Sequence, residues 1–385
     1  MASLSPVDVV TITQQLIAAP SVSPATGAVF DVLQSVLEPM GFRVERFLDG
    51  IDAPDGPVEN MLAVRGPRGG ERGGRHLAFA GHVDVVPVGD GWSHDAFSPR
   101  IAGGMLFGRG AVDMKGALAA FIAAAAATPA DAGTLSLIIT GDEEGPAIHG
   151  TRSLIEHMVA RDIAPDMILV GEPSSTNRLG DTMKVGRRGS VNIWITVPGR
   201  EGHVAYPQLA DNPIPRLLRI LSCIDAIVLD AGNDFFQASN IEITTIDVGN
   251  KATNVIPAKA EARLSIRFND LQNGQALADR ITALVLDEDP NAIVTPLISG
   301  EAFRTKPGPW ADMVGEAVRE VTGLKCEQST TGGTSDARFL HVLAPILEFG
   351  LPNATMHKRD EAVAIDDLHA LVAIYRGVIE RALAS

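Results

Sequence analysis

The chain has 385 residues, of which 45% are hydrophobic and 21% charged, and its net charge is −15. That length favours two or three domains with sizeable cores, and the acidity argues against nucleic acid and anionic membrane as partners, since both demand basic surface. Only two cysteines occur, Cys223 and Cys326, so a disulfide framework and thiolate zinc sites are excluded and a reducing, cytoplasmic setting is expected.

Residues 1–20 carry no positive lead and no cleavage pattern, so no signal peptide is expected. Ser5-Pro6-Val7-Asp8 reads as a helix start, with Ser5 as N-cap and Pro6 at the first helical position. Val9, Ile12 and Leu16 continue it as an apolar stripe. A second helix is expected over 26–40, and strands near 43–47, 61–64 and 77–80, separated by turns at 52–57 and 66–70. The third strand leads into Gly81-His82-Val83-Asp84-Val85-Val86-Pro87. Side chains two apart in a strand share a face, so His82 and Asp84 are expected together at its carboxyl end, with Pro87 ending the ladder. Open α/β sheets place ligands there. An imidazole steadied by a carboxylate suits a metal ligand; a salt-bridged His at a strand end is the other reading of this fragment.

Residues 88–109 read as one long loop, a length that in a compact domain is usually functional. It ends in Gly108-Arg109-Gly110-Ala111-Val112-Asp113-Met114-Lys115-Gly116. An Ala-rich run over 116–128 follows, too short to span a bilayer and read as a helix packed closely on a sheet. Asp113 stands just before that helix, as an N-cap or as something more. A buried strand over 134–140 ends in Gly141-Asp142-Glu143-Glu144-Gly145. Three consecutive acids repel one another unless cations lie between them, or unless the turn is simply solvated. A helix over 150–159 and a strand over 167–170 lead to Gly171-Glu172-Pro173-Ser174, a third strand end with a metal-type side chain.

The pattern changes near residue 184. A half-exposed strand over 191–197 opens the order β-α-β-β-α-β, that of a ferredoxin-like sandwich. The first pattern then resumes with a helix over 309–321 and the turn Thr330-Thr331-Gly332-Gly333-Thr334-Ser335-Asp336. A strand over 345–349, a loop containing His357 and a last helix over 366–383 complete it. The expected domains are 1–186, 187–299 and 300–385, the first and last forming one catalytic domain.

The metal-type residues are His82, Asp84, Asp113, Glu143, Glu144, Glu172 and His357. Two imidazoles and several carboxylates without thiolate suit zinc, cobalt or manganese at a catalytic site, with ligands enough for two ions. One carboxylate left unligated would take the proton from an attacking water. No Gly-x-Gly-x-x-Gly after the first strand, Walker lysine motif or Gly-x-Ser-x-Gly elbow competes with this reading.

Together, the four motifs around His82, Asp113, Glu143 and Glu172 resemble the M20 family of dinuclear zinc amidohydrolases and peptidases. The resemblance covers essentially the whole chain. It implies an α/β fold: a zinc-peptidase-like catalytic domain with a mixed, mainly parallel sheet flanked by helices, plus an inserted ferredoxin-like α+β dimerisation (lid) domain. By position, His82 and Glu172 would bind one Zn2+, Glu144 and His357 the other, and Asp113 would bridge; Co2+ or Mn2+ could substitute. Asp84 would orient His82, and Glu143 would be the general base. His203, in Gly202-His203-Val204-Ala205-Tyr206-Pro207, would reach the partner subunit's site in a homodimer and stabilise the oxyanion. Arg187, Asn254, Arg267, Thr334 and Asn353 match substrate-contacting positions, and arginine suits a substrate with several carboxylates. The implied substrate is an N-acyl diamino acid, N-succinylated foremost, with N-acetylornithine-type hydrolysis as the alternative. A non-catalytic binding protein on the same scaffold is the alternative of another class; the presence of Glu143 with all five ligands weighs against it. Segments 184–188 and 299–301 are the expected hinges of the inserted domain.

Overall fold

A computed structural model of the chain describes residues 8–66 and 74–384. It divides into two compact units. One comprises the chain through Val185, then Thr305–Ser329 and the residues from Ser335 on; the other comprises Gly186–Arg304 with Thr330–Thr334.

The first unit opens with α1 (Val9–Ile17), whose Val9, Ile12 and Leu16 are buried as the stripe required. Asp8 is its N-cap, accepting a 2.9 Å hydrogen bond from the Thr11 N–H. The expected Ser5 cap and Pro6 lie outside the described residues, as does most of the 66–70 turn. Next come α2 (Ala28–Leu37), β1 (Arg43–Asp49), β2 (Val58–Arg65), β3 (His76–His82), β4 (Arg100–Ala102) and β5 (Met105–Phe107). Then follow α3 (Lys115–Ala126), β6 (Thr134–Thr140), α4 (Thr151–Val159), β7 (Met167–Val170) and β8 (Thr182–Lys184).

One expectation fails here: residues 88–109 are not a single loop. β4 and β5 form a hairpin, Ile101 opposite Leu106, turning through Gly103 and Gly104. Both glycines have positive φ, 58° and 77°, as the two-residue turns that match strand twist demand.

The second unit contributes the strands Gly189–Pro198, Asn240–Asp247, Lys259–Phe268 and Ile293–Gly300, with α5 (Pro213–Asp225) and α6 (Gly274–Glu288) between them. The sheet is antiparallel, in the order Asn240–Asp247, Lys259–Phe268, Gly189–Pro198, Ile293–Gly300. Val191, Ile193, Ile195 and Val197 alternate inward and pack with Leu217 and Ile220 of α5 and Leu277 and Ile281 of α6. That is the β-α-β-β-α-β connectivity of a ferredoxin-like sandwich.

Back in the first unit lie α7 (Pro309–Thr322), α8 (Ala337–Leu340) and α9 (Ile365–Ala384), with the strands Glu327–Ser329, Ile346–Glu348 and Ala362–Ala364. The main sheet, eight-stranded among the described residues, runs β1, β2, β6, β3, β7, Ile346–Glu348, β8, Glu327–Ser329. Its centre is parallel: β6 with β3, β3 with β7, β7 with Ile346–Glu348. β2, β3, β6 and β7 are buried along their whole length, as near-continuous apolar runs imply. The Ala-rich α3 packs against α1 and α9. Beneath it Phe79 stacks on Phe121 at 4.3 Å, and both meet the Tyr375 ring edge-on. Each fully buried Phe contributes about 1.5–3 kcal/mol, and the Tyr375 hydroxyl avoids an orphaned donor by giving a 2.7 Å hydrogen bond to the Phe349 carbonyl. No helix among the described residues is long and apolar enough to cross a membrane.

Candidate metal centre

Four neighbouring parallel strands must end on one edge of the sheet, and that edge collects the acids and imidazoles. β3 ends at His82, β6 just before the acidic turn, β7 two residues before Glu172, and Ile346–Glu348 just before the loop that bears His357. This is the carboxyl-end location that open α/β sheets use for ligands.

His82 and Asp84 are not consecutive same-face residues of a continuing strand, because β3 stops at His82. The His82 ring is fixed instead by its Nδ1–H, which donates to the Asp84 backbone carbonyl at 2.9 Å; the Asp84 carboxylate lies 3.6 Å away. A carbonyl only accepts, so Nε2 is the nitrogen turned toward the other acids. It lies 3.2 Å from Asp113 Oδ1 and 3.8 Å from Glu172 Oε1. The Asp84 carboxylate also accepts the N–H groups of Glu143 (3.1 Å) and Glu144 (3.0 Å) and the Ser23 hydroxyl. It thereby pins the acidic turn to the end of β3.

Asp113 is not the N-cap of α3. Met114 holds that place, and the Asp113 side chain makes no capping hydrogen bond. Its two oxygens divide between two rings, Oδ1 toward His82 and Oδ2 toward His357 Nε2 at 3.1 Å. His357 also meets Glu144 Oε1 at 2.8 Å. Its backbone is left-handed, φ 58°, a conformation His tolerates better than most residues. Donor atoms of His82, Asp113 and Glu144, and again of His82, Glu143 and Glu172, lie within 4.8 Å of one another.

Without cations the charges compromise. Hydrogen bonds to Asp113 and Glu144 push His357 up to about 10. Burial disfavours a charged His82, but Asp113, Asp84 and Glu143 outweigh it and hold the imidazole well above its ordinary value. Burial, then the Glu172 carboxylate, pushes Glu143 far above the usual carboxyl range. Two protonated rings offset only part of the charge of Asp113, Glu144 and Glu172. Nitrogen and oxygen donors around this surplus fit divalent zinc, cobalt or manganese, in numbers enough for two ions sharing Asp113.

Asn353, at the edge of this unit, donates its backbone N–H to the Ser175 carbonyl at 3.0 Å. The other residues expected to touch substrate lie in the second unit. There Arg187 is buried and donates to the carbonyls of Gly333 (3.1 Å) and Thr331 (3.4 Å), framing the turn that carries exposed Thr334. Arg267 donates to the Ser190 hydroxyl. Exposed His203 pairs with Val255 in a short ladder, and exposed Asn254 accepts the Val204 N–H through its carbonyl at 3.1 Å. Sequence reasoning missed Ser23, Arg109 and Glu361, all of which brace the ligand-bearing segments. Arg109 stands inside a motif already singled out, but its pairing with Glu361 spans the chain and leaves no local signal.

Fold and site are those of a metal-dependent hydrolase, and the chain belongs to peptidase family M20/M25/M40, whose model matches residues 78–381. It is 66% identical, over 97% of its own length and 98% of the relative's, to succinyl-diaminopimelate desuccinylase of Sphingopyxis alaskensis. The solved structure of the M20 family metallo-carboxypeptidase Sso-CP2 from Sulfolobus solfataricus shares its fold, with a TM-score of 0.78, 16% identity and coverage of 98% of this chain and 100% of that one. So does that of YXEP from Bacillus subtilis, described as a dinuclear metal binding peptidase of the M20 family, at TM-score 0.72 and 15% identity, covering 98% of each.

Proposed function

We propose that this chain hydrolyses the succinyl amide of N-succinyl-LL-2,6-diaminopimelate, releasing succinate and LL-2,6-diaminopimelate for lysine and diaminopimelate synthesis in the cytoplasm. The reading is carried by the two-imidazole, four-carboxylate cluster in a chain 66% identical to a desuccinylase along nearly its whole length. His82, Asp113 and Glu172 would hold one divalent ion, and Asp113, Glu144 and His357 the other; zinc is the first choice and cobalt or manganese could replace it. When bound, the ions supply Lewis-acid polarisation of the amide carbonyl and a lowered pKa for water.

The chain's own residues do the rest. Glu143 takes the proton of the attacking water and delivers it to the amine nitrogen as the C–N bond breaks. Asp84 keeps His82 and the acidic turn in register. Arg187 and Arg267 meet the substrate carboxylates, with Asn254, Thr334 and Asn353 as neutral hydrogen-bonding partners. His203 serves the site of a partner copy, stabilising the oxyanion, so the working form is a homodimer.

The test is a comparison of kcat/KM on N-succinyl-LL-2,6-diaminopimelate and N-acetyl-L-ornithine with zinc-loaded protein. The first is expected to exceed the second by about 10⁴-fold or more, the discrimination a hydrogen-bonding pocket gives when its partner group is missing. Preference for the acetylated substrate would overturn the assignment.

A further inference from the structure

Two ligand-bearing segments far apart in sequence are joined by one buried carboxylate. Glu361 is 1% exposed. Its Oε1 accepts the backbone N–H groups of Val112 (2.8 Å) and Asp113 (3.1 Å). Its Oε2 accepts the Gly110 N–H (3.0 Å) and Arg109 Nη1 (2.9 Å). Arg109 is equally buried, 2% exposed, and lies over the Trp92 ring with its guanidinium carbon 5.0 Å from the centroid.

The same stretch closes the His357 loop. The Glu361 carbonyl accepts the Gly108 N–H at 2.9 Å, and Ala362 pairs with Phe107. Thr355 locks to Ala362 through its hydroxyl, giving one hydrogen bond and taking another. Glu361 therefore sits where the turn carrying Asp113 and the loop carrying His357 share a frame.

We propose that Glu361 is a positioning residue that sets the affinity of the chain for the ions shared by Asp113 and His357. This rests on the ligand assignment under Proposed function. The carboxylate is a specific requirement. Every donor reaching either oxygen is an N–H, so an isosteric amide must turn its NH2 against donors in either orientation. A misplaced turn moves Asp113 relative to both imidazoles, and outer residues that hold ligands in this way typically govern metal affinity by about 10–100-fold.

The experiment measures Co2+ binding to metal-free wild type, Glu361→Gln and Arg109→Lys, by chelator competition and by the visible Co2+ spectrum, with circular dichroism to verify folding. Glu361→Gln is expected to bind at least one equivalent about 10–100-fold more weakly, with an altered spectrum. Arg109→Lys keeps a buried cation but not the fork, and is expected to move the same way by less; it carries the test should Glu361→Gln not fold. Wild type that fails to take two equivalents removes the ligand assignment, and this proposal with it. Wild type that takes two, with folded variants matching its affinity and spectrum, overturns this proposal alone. A lower melting temperature without change in affinity also overturns it.

Discussion

Nε2 of His357 lies 2.8 Å from Oε1 of Glu144, across 213 residues of sequence. The contact closes a ring of donors that begins at His82 and passes through Asp113. Chelation is therefore expected to abolish hydrolysis, and added zinc to restore it. His357→Ala is expected to retain one tightly held ion and lose the other. Ligand at a hundredfold over its Kd stabilises a fold by about 2.7 kcal/mol, so the metal-dependent rise in melting temperature should shrink in the variant. Equilibrium dialysis with elemental analysis, and melting with and without zinc, check both statements.

Glu143 donates its backbone N–H to the Asp84 carboxylate, and its own carboxyl is the proposed general base. Glu143→Gln is expected to lower kcat by at least about 100-fold, the usual worth of a general base, while the protein still takes up two ions. Steady-state kinetics beside metal analysis decide it. Loss of an ion in this variant would reassign Glu143 as a ligand.

In the second unit Asp230 organises a loop. Its Oδ1 accepts from the Gly232 N–H (2.9 Å), the Ser239 N–H (3.0 Å) and Asn269 Nδ2 (2.7 Å). Burial opposes the charged form, but the hydrogen bonds from Ser239, Gly232 and Asn269 outweigh it and hold the carboxyl below its usual range. A folded pKa below the unfolded one, which is about 3.9, gives stability that is complete above that pH and fades as pH falls through the folded value. Asp230→Ala is expected to cost about 1–2 kcal/mol at neutral pH, after allowing for partial exposure. The difference from wild type should narrow in strong acid. Urea denaturation at several pH values tests this, and a gap that widens toward low pH would reverse the sign.

The centre of the fold was legible because apolar runs and turn residues agree there. Leu77–Ala80, Thr134–Thr140 and Met167–Val170 are short, almost wholly apolar or β-branched and followed by glycine, and each emerged as a buried strand. The β4–β5 hairpin was hidden because its strands are only three residues long and its paired glycines read equally well as loop. The neighbourhood of His82 and Asp84 was legible in identity but not in geometry. A period-2 argument presumes that the strand continues to Asp84, and β3 stops two residues short of it. Asp113 was ambiguous between cap and ligand because its position before α3 says nothing of the direction of its side chain. Glu361 could not be read at all, since its meaning lies in donors some 250 positions upstream.

The division of the donors along the chain has a consequence for biogenesis. His82, Asp113, Glu144 and Glu172 all precede residues 186–304, whereas His357 follows them. Domains tend to fold as they leave the ribosome, so a nascent polypeptide carries the acids for a long interval before its last imidazole emerges. On the proposed assignment, the ion of His82, Asp113 and Glu172 could load before the second unit is made, whereas the ion of Asp113, Glu144 and His357 would wait until translation is nearly complete.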